Sequence, residues 1–297
     1  MLVIGVFGPT ASGKSDVAAA IAKLIPAEVV SADAMQVYVG VPVLTNRSPH
    51  RERLVGIWPL SHVASVGEYA ALAHAAIDEI LSAGRVPLVV GGTGLYFRAA
   101  LAELELPPAP PPGARARWER LYDEDSAAAA HARLVEMDST AAGRIHPNDR
   151  RRVVRALELA ETGRSLLPRR AQLFGGGWRH PTFVVGLDVP KPDLDRRITD
   201  RTKRMFEAGV AEEAHAALAA GPSSTAMKII GLQEVASLPR EKAVETLIAR
   251  TRRYAAYQRK WLRRLEGLVI VAADRPPEET AAEIVALART REHLPRP

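Results

Sequence analysis

Short apolar runs alternate with long alanine-rich stretches along the chain. Five of these runs are apolar enough to be buried on both faces, as strands of a parallel sheet are. They lie at residues 2–7, 28–31, 85–90, 182–188 and 268–272, and 54–57 is a possible sixth strand. The stretches between them repeat their apolar positions with helical periodicity. Strands that alternate with helices predict the α/β class, with a parallel sheet flanked by helices.

The pattern changes in the middle of the chain, at 107–180. A proline cluster, PPAPPPG, is followed by two or three helical stretches without a candidate for a buried strand, and then by three glycines. Prolines and glycines at both ends are typical of joints between domains. We therefore predict a catalytic core made of residues 1–110 and 181–297, with an inserted all-helical domain at 111–180. The alternative is a long helical crossover within one domain.

Composition narrows the class of protein. With 297 residues, of which 47% are hydrophobic, the chain can form one sizeable core and a smaller module. It has no cysteine, which excludes disulfides, thiolate metal sites and a thiol nucleophile. The N-terminal sequence lacks the features of a secretory signal, and no apolar run approaches the roughly 18 residues of a membrane span. We expect a cytoplasmic protein without membrane contact. The net charge of +6 favours a polyanionic partner.

A phosphate-binding loop is predicted directly after the first strand. Residues 8–15 read GPTASGKS, which matches the pattern GxxxxGK[ST], and a helix is predicted to begin near Asp16. In such a loop the backbone N–H groups and the helix N-terminus attract an anion, and the lysine adds a positive charge. Ser15 is predicted to hold Mg²⁺ that bridges the phosphates. The residues predicted to bind phosphate are Gly8, Thr10, Ala11, Ser12, Gly13, Lys14 and Ser15. This P-loop does not indicate which bond breaks.

Two further turns are predicted to face the same crevice, because each follows a buried strand. Asp33 ends the second strand and is a candidate general base, either for a hydroxyl in a kinase or for the exocyclic nitrogen of an adenine. A turn or helix-capping role is the alternative. Thr93, in the second glycine-rich turn GGTG, is predicted to contact a diphosphate or a metal, although a plain tight turn is also possible.

Six motifs in order carry a resemblance to a known family. They are GPTASGKS, DAMQVY, GGTGLY, RIHPNDRRRVVRALE, KIIGLQE and QRKW. With these motifs the sequence resembles the tRNA dimethylallyltransferases, also called tRNA isopentenyltransferases, which have a P-loop kinase-like core. The resemblance covers most of the chain.

The resemblance implies a reaction and roles for individual residues. The P-loop would hold the diphosphate of dimethylallyl diphosphate, and the dimethylallyl group would go to N6 of the adenosine next to the anticodon of tRNA, at position 37. Asp33 would take the N6 proton. Lys14, Thr93, Lys228 and Mg²⁺ at Ser15 would neutralise the charge of the departing diphosphate.

The resemblance also implies that the chain binds a tRNA anticodon stem-loop. The implied contacts are Asp33, Ala34, Met35 and Gln36 near the adenosine, Arg115, Arg151, Arg152 and Arg155 in the helical insertion, and Gln258, Trp261 and Arg263 near the C-terminus. Arginines that cluster in this way suit a phosphate backbone, but a solvated helix face is the alternative. The aromatic residues at 250–264 could stack on RNA or pack against the core. A monomer is expected.

Some positions depart from the family pattern, and proteins with other functions contain some of the same motifs. The segment 43–48 is shorter than the corresponding segment of the family and differs from it in sequence. Lys228 stands where bacterial members often have arginine. A P-loop small-molecule kinase or an AMP prenyltransferase would share the loop and Asp33. A non-catalytic RNA-binding protein is a third possibility. The basic insertion and the segment 250–264 favour a tRNA enzyme.

Overall fold

The computed structural model describes residues 2–104, 110–166, 177–265 and 267–290. It divides the chain into two compact units. The core unit consists of Met1–Glu103 and Gly177–Pro297, and the helical unit of Leu104–Gly176. The insertion expected at 111–180 overlaps the helical unit, whose boundaries lie slightly earlier in the chain. Residues 107–109 of the proline cluster and two of the three glycines expected at the joints lie outside the described residues.

The described part of the core unit contains a six-stranded parallel sheet. Its strands are β1 Val3–Phe7, β2 Ala27–Ser31, β3 Glu52–Arg53, β4 Val86–Gly91, β5 Thr182–Asp188 and β6 Val269–Ala272. They lie in the order β3-β2-β4-β1-β5-β6. Neighbouring strands are parallel, for example β1 with β4 at Ile4 and Leu88. The predicted α/β class and the positions of the five strands are confirmed, but the expected burial on both faces is wrong for β6, an edge strand in which only Val271 is buried.

The possible strand at 54–57 is wrong. The short β3 precedes it and pairs with β2, with Glu52 opposite Val29. Leu54 and Gly56 have φ angles of 63° and 61°, which place the backbone in the left-handed region. An extended strand cannot continue through that conformation. The apolar side chains in this stretch therefore belong to a turn.

Helices cover the sheet and form the helical unit. In chain order they are α1 Lys14–Leu24, α2 Val66–Ser82, α3 Gly94–Leu101, α4 Ala114–Arg120, α5 Ala127–Met137, α6 Ser139–Ala142, α7 Arg150–Ala160, α8 Lys191–Glu207, α9 Val210–Ala219, α10 Leu232–Ser237, α11 Arg240–Leu262 and α12 Pro277–Thr290. Around the sheet, α1 packs against α12 and α2 against α3. Within the described residues, no helix is both long and apolar enough to cross a membrane.

The two units have separate hydrophobic cores. In the core unit, strand residues such as Val6, Leu88 and Val185 pack with Ile21 of α1 and Ile284 of α12. The core of the helical unit is smaller and contains Trp118, Leu134, Val153 and Leu157. Side chains cap the N-termini of α5, α6 and α7: Ser126 accepts a hydrogen bond from the backbone N–H of Ala129, Asp138 from Ala141 and Asp149 from Arg152.

Candidate active site

A cavity of about 540 Å³ lies at the carboxyl ends of the strands in the core unit. The P-loop forms one wall, and the segment after β2 forms another. Residues of α8, α11 and the turn after β6 also line it. Ligands bind at this edge of parallel α/β sheets, because strand ends and helix N-termini converge there. The predicted crevice is therefore present, and residues from distant parts of the chain form it.

The P-loop turns sharply between β1 and α1. Ala11 and Gly13 have φ angles of 64° and 86°, and α1 begins directly afterwards at Lys14. A Cβ added at Gly8 would lie 2.7 Å from the Ser12 hydroxyl oxygen, so the loop leaves no room for a side chain there. The N-terminus of α1 consequently opens into the cavity with the polarity that an anion requires.

The ammonium group of Lys14 lies inside the loop. Its Nζ donates a 2.7 Å hydrogen bond to the carbonyl oxygen of Pro9. Burial away from water lowers the pKa of Lys14 to about 8, and the positive charge of Arg201 also lowers it, whereas Asp33 and Glu52 oppose the change. Lys14 is therefore still a cation at neutral pH, and an anion in the cavity would stabilise its charge.

Asp33 forms the turn that was one alternative for its position, and its role as a general base stays a prediction. Its Oδ1 accepts a 2.8 Å hydrogen bond from the backbone N–H of Met35, which fixes the turn after β2. The same side chain lines the cavity together with Lys14. A carboxylate held by its turn in this way can also accept a proton from a group in the cavity.

Thr93 connects the second glycine-rich turn to the Asp33 turn. Its Oγ1 accepts a hydrogen bond of 3.4 Å from the backbone N–H of Ala34 and lies 3.2 Å from the hydroxyl oxygen of Tyr254. Thr93 thus joins the β4 and β2 turns to α11. It is not among the residues that line the cavity, and the direct diphosphate contact expected of it stays a prediction.

Gln36 holds the segment in which the sequence departs from the family pattern. Its Nε2 donates hydrogen bonds of 3.3 Å to the carbonyl oxygens of Thr45 and Asn46. From the other side, both carboxylate oxygens of Glu213 accept hydrogen bonds from the N–H groups of Val43 and Leu44. Gln36, Thr45 and Asn46 all line the cavity, so this divergent segment forms part of its wall.

Two residues of α11 that were expected at the tRNA lie inside the core unit. Gln258 is 2% exposed, and its Oε1 accepts a 2.7 Å hydrogen bond from the backbone N–H of Thr10 in the P-loop. Trp261 is 8% exposed and lies so close to Gly94 that a Cβ there would overlap its ring. Both side chains thus support the two glycine-rich turns. Arg263, at the end of α11, is exposed, and its tRNA contact stays a prediction.

Arginines and a glutamate that were not predicted from the sequence also line the cavity. They are Arg197, Arg201 and Arg204 of α8, Arg275 after β6, and Glu52 of β3. Burial lowers the pKa of Arg201 to about 10 despite the opposing charge of Asp33. Burial also raises the pKa of Glu52, although hydrogen bonds from Ser48 and Ser15 oppose this rise. A signal in the sequence that could have indicated the three arginines of α8 is their spacing of four and then three residues, which places them on one face of a helix.

Lys228 is not brought to this cavity. It ends a short 3₁₀ turn, Ala226–Lys228, is exposed, and is not among the lining residues. The KIIGLQE motif suggested a neutralising charge beside the leaving group. In this structure Lys14 and the α8 arginines are cations that line the cavity, and the neutralising role of Lys228 stays a prediction.

In the helical unit, the arginines expected to grip tRNA fall into two groups. Arg115 and Arg155 form ion pairs of 3.0 and 2.8 Å with Glu158, whose side chain is fully buried. Arg151 and Arg152 are exposed on α7, and Arg152 lies 3.4 Å from Asp149. Along the sequence, Asp149 is the only acid among these arginines. Counting acids only within 144–155 missed Glu158, which follows on the same helix and pairs with two of the arginines.

A parallel α/β sheet whose P-loop faces Asp33 and several arginines across one cavity defines a P-loop protein that acts on a phosphorylated substrate. Two family models match the chain: IPP transferase over residues 36–265, and isopentenyl transferase over residues 1–58. The chain belongs to the IPP transferase family, as the sequence motifs indicated.

Relatives and solved structures agree with this assignment. The chain is 41% identical over 281 residues to the tRNA dimethylallyltransferase of Thermobifida fusca, a match that covers 88% of this chain and 87% of that protein. The tRNA isopentenylpyrophosphate transferase of Bacillus halodurans has a similar fold, with a TM-score of 0.68, 29% identity and coverage of 98% and 99%. A eukaryotic dimethylallyltransferase acting on tRNA gives a TM-score of 0.81 at 25% identity, with coverage of 98% and 79%.

Proposed function

We propose that this protein transfers a dimethylallyl group from dimethylallyl diphosphate to N6 of an adenosine in tRNA, at position 37 next to the anticodon, and releases diphosphate. The observation that carries the proposal is that one cavity contains both the P-loop with Lys14 and the carboxylate of Asp33. Such a transfer needs both, because one side must accept a leaving diphosphate while the other removes a proton. The names of the relatives support the tRNA acceptor.

In the proposed reaction the two substrates meet between the P-loop and Asp33. The bond between the allylic carbon and the diphosphate oxygen breaks, and its electron pair leaves with the diphosphate. The lone pair of N6 forms the new bond to the same carbon, and Asp33 accepts the N6 proton. An adenine amine is a weak nucleophile, so its alignment with the breaking bond contributes much of the acceleration, up to about 7–11 kcal/mol in the best cases.

The P-loop side of the cavity is suited to the growing negative charge of the leaving group. The N-terminus of α1 and the ammonium of Lys14 face the cavity before any substrate arrives. Because these groups are already in place, they need little rearrangement when charge develops. Gln258 holds the backbone of Thr10, which keeps the loop in shape.

The oxygen donors of the cavity suit Mg²⁺, which we propose as the cofactor. The hydroxyl of Ser15 and the carboxylates of Asp33 and Glu52 line the same space, and Ser15 hydrogen-bonds Glu52. The described residues contain no cage of three or more acidic or histidine side chains. This fits Mg²⁺ in phosphate sites, which takes one or two protein oxygens together with phosphate oxygens and water. Bound there through Ser15, the ion would neutralise part of the charge of the diphosphate.

For the tRNA partner, we propose that the helical unit contributes exposed cations. Arg151 and Arg152 are exposed to solvent, whereas Arg115 and Arg155 are tied to buried Glu158. Exposed arginines on one helix suit the phosphate backbone of an anticodon stem-loop. Moving the adenosine out of its stack costs a few kcal/mol, which contacts in the pocket must offset. A tRNA substrate also agrees with the cytoplasmic, monomeric protein that the sequence leads us to expect.

Mass spectrometry of the reaction products tests the proposed function. Unmodified tRNA is incubated with the purified protein, Mg²⁺ and dimethylallyl diphosphate, beside tubes that offer AMP as the acceptor or ATP with small alcohols. We expect one dimethylallyl unit on the adenosine at position 37 and no product in the other tubes. Prenylated AMP, or phosphorylated alcohol with unchanged tRNA, would assign the protein to one of the two alternative enzymes.

A further inference from the structure

A second cavity, of about 320 Å³, adjoins the P-loop cavity described above. It is lined by residues 47–52 and by Val55. Among them, Arg47, Ser48 and Glu52 line both cavities, so the two spaces share a wall. The volume lies at the lower end of the range of about 300–1,000 Å³ that small-ligand sites have. The proposed transfer of the dimethylallyl group makes no use of this second cavity.

The guanidinium of Arg47 packs against a turn that has no side chain at the point of contact. A Cβ on Gly56 would lie 3.0 Å from NH1 of Arg47, so the guanidinium lies directly against the backbone of this glycine. The φ angle of Gly56 is 61°, which favours glycine, and its N–H donates a 2.8 Å hydrogen bond to the carbonyl oxygen of Gln36. The turn that replaces the expected strand at 54–57 therefore leaves room for a cation.

The two arginines of the second cavity, Arg47 and Arg51, differ from the arginine that follows them. Both are exposed, and neither forms an ion pair with another residue that the structure describes. Arg53, in the strand β3, pairs with Glu28 and Glu79 at distances of 2.8 and 2.6 Å. Arg53 thus ties β3 to β2 and α2, whereas Arg47 and Arg51 keep their N–H donors for a ligand.

The acid in the second cavity does not balance the charge of these two arginines. Among the described residues that line the cavity, Glu52 is the only acid. Its carboxylate accepts hydrogen bonds from the hydroxyl groups of Ser48 and Ser15. Since Ser15 belongs to the P-loop, Glu52 helps to hold the wall between the two cavities. Two arginines against one acid leave an excess of positive charge, which an anion would offset.

The chemistry of the second cavity suits a phosphate group with a single negative charge. A guanidinium can donate two parallel N–H bonds to phosphate oxygens. In tRNA each nucleotide is joined to a phosphodiester on both sides, so an adenosine that enters the P-loop cavity brings its flanking phosphates to the rim of that cavity. The second cavity lies beside this rim, because Arg47 and Glu52 line both spaces. A flanking phosphodiester therefore fits this position better than a separate small anion does.

We propose that the second cavity binds a phosphodiester of tRNA that flanks the reacting adenosine, with Arg51 and Arg47 as the hydrogen-bond donors. The inference rests on the proposed function and adds a tRNA contact of the core unit to it. Contacts to phosphates fix the register of a nucleic acid without reading its sequence. This contact holds the strand beside the extruded base and offsets part of the cost of unstacking it.

Binding of unmodified tRNA tests the role of Arg51, which lines the second cavity but not the P-loop cavity. Arg51→Gln is compared with the control Arg85→Gln, which removes an exposed arginine of the core unit that pairs with Glu28. Filter binding gives the Kd at several salt concentrations. We expect Arg51→Gln to weaken tRNA binding by roughly 10-fold, as the loss of a charged hydrogen bond does, and to reduce the slope of log Kd against log salt by about one unit. Arg85→Gln should behave as the wild type.

An anticodon stem-loop RNA with one uncharged linkage locates the phosphate. The phosphodiester on the 5′ or the 3′ side of the reacting adenosine is replaced by a methylphosphonate, and each RNA is bound to the wild type and to Arg51→Gln. At one of the two linkages, the RNA change and the protein change should together cost no more affinity than either change alone. Independent losses at both linkages would overturn the inference, because Arg51 would then contact another part of the RNA.

Two further readouts separate this inference from the diphosphate site and from the proposed function. Calorimetry with inorganic diphosphate and Mg²⁺ should give the same Kd for Arg51→Gln and the wild type. Weaker diphosphate binding by the variant would overturn the inference, because the ligand would then be a free anion. Unchanged tRNA binding by Arg51→Gln, while the wild type still forms dimethylallyl adenosine, would overturn the inference alone. A wild type that shows the expected overlap at one linkage but forms no product would contradict only the proposed function.

Discussion

Thr10 and Lys14 lie in the same short loop, but different parts of the chain hold them. Lys14 donates to Pro9 within the loop, whereas the N–H of Thr10 is satisfied by Gln258, which comes from α11 near the other end of the chain. The shape of the P-loop therefore depends on a side chain that its own motif does not contain. Gln258 was expected to contact tRNA; besides supporting the loop it lines the cavity, and the tRNA contact stays a prediction.

Replacing Gln258 by Leu should destabilise the protein. The substitution leaves the N–H of Thr10 without its acceptor, and an unsatisfied buried donor costs about 1–3 kcal/mol. Unfolding in urea measures the free energy of unfolding of each variant. The neighbouring Tyr257, which is 52% exposed, provides the control, and Tyr257→Leu should change stability by less than about 0.5 kcal/mol. Equal stabilities of Gln258→Leu and the wild type would show that this hydrogen bond does not support the loop.

The lowered pKa of Lys14 predicts how diphosphate binding changes with pH. The free protein holds this pKa at about 8, below the ordinary value of 10.5, so the ammonium loses its proton as the pH rises through this value. A bound anion favours the protonated form, and affinity for diphosphate should therefore fall between about pH 8 and pH 10, with proton uptake on binding near pH 8.

Calorimetry in buffers of different ionisation enthalpy measures this proton uptake. Diphosphate also titrates, so the control is Lys14→Arg, whose guanidinium keeps its charge throughout this range. The difference in proton uptake between the wild type and Lys14→Arg reports on Lys14. Equal uptake by the two proteins at about pH 8 would mean that Lys14 keeps its proton in the free protein.

At the scale of helices and strands, the sequence predicted what local pattern determines. The five predicted strands coincide with mainly apolar runs, and the P-loop motif follows β1 and leads into α1 as expected. The stretch at 54–57 is apolar too, but the left-handed conformation of Leu54 makes it a turn, and apolar content alone does not reveal backbone conformation. Arg201 was not predicted, because its burial beside the P-loop depends on how distant elements pack, and the local sequence does not show this.

The arginines of α7 also differ in ways that the local sequence does not reveal, and this difference leads to a prediction. Arg155 looked equivalent to Arg151 and Arg152 along the sequence, but the fold pairs it with buried Glu158. Substitution of Arg151 and Arg152 together by glutamine should weaken tRNA binding. It should also reduce the slope of log Kd against log salt by about one unit for each phosphate that the variant no longer neutralises.

Filter binding at several salt concentrations checks this expectation. Arg133→Gln, on α5, is the matched control, because it removes an exposed arginine of the helical unit that is paired with Glu136. Its salt slope should equal that of the wild type. If the double variant and the control have the same slope, α7 does not bind the tRNA backbone.

At the scale of the whole molecule, the P-loop cavity and the exposed arginines of α7 proposed to bind the tRNA backbone lie in different units. The residues that line the cavity belong to the core unit, whereas Arg151 and Arg152 belong to the helical unit. Substitutions in the two units should therefore be separable in kinetics. Changes in the cavity should act on turnover and on diphosphate, and changes on α7 should act on the affinity for tRNA.

A single-turnover experiment with the wild type and Asp33→Asn tests the proposed chemistry most directly. Asparagine keeps an oxygen acceptor for the N–H of Met35, so the turn should survive, but it cannot take the N6 proton at neutral pH. Diphosphate release and dimethylallyl adenosine are measured in the same samples. We expect both to appear in equal amounts with the wild type and to slow together by about 10²–10⁴-fold in the variant, with little change in tRNA affinity. Wild-type rates in Asp33→Asn would contradict the assignment of Asp33 as the base.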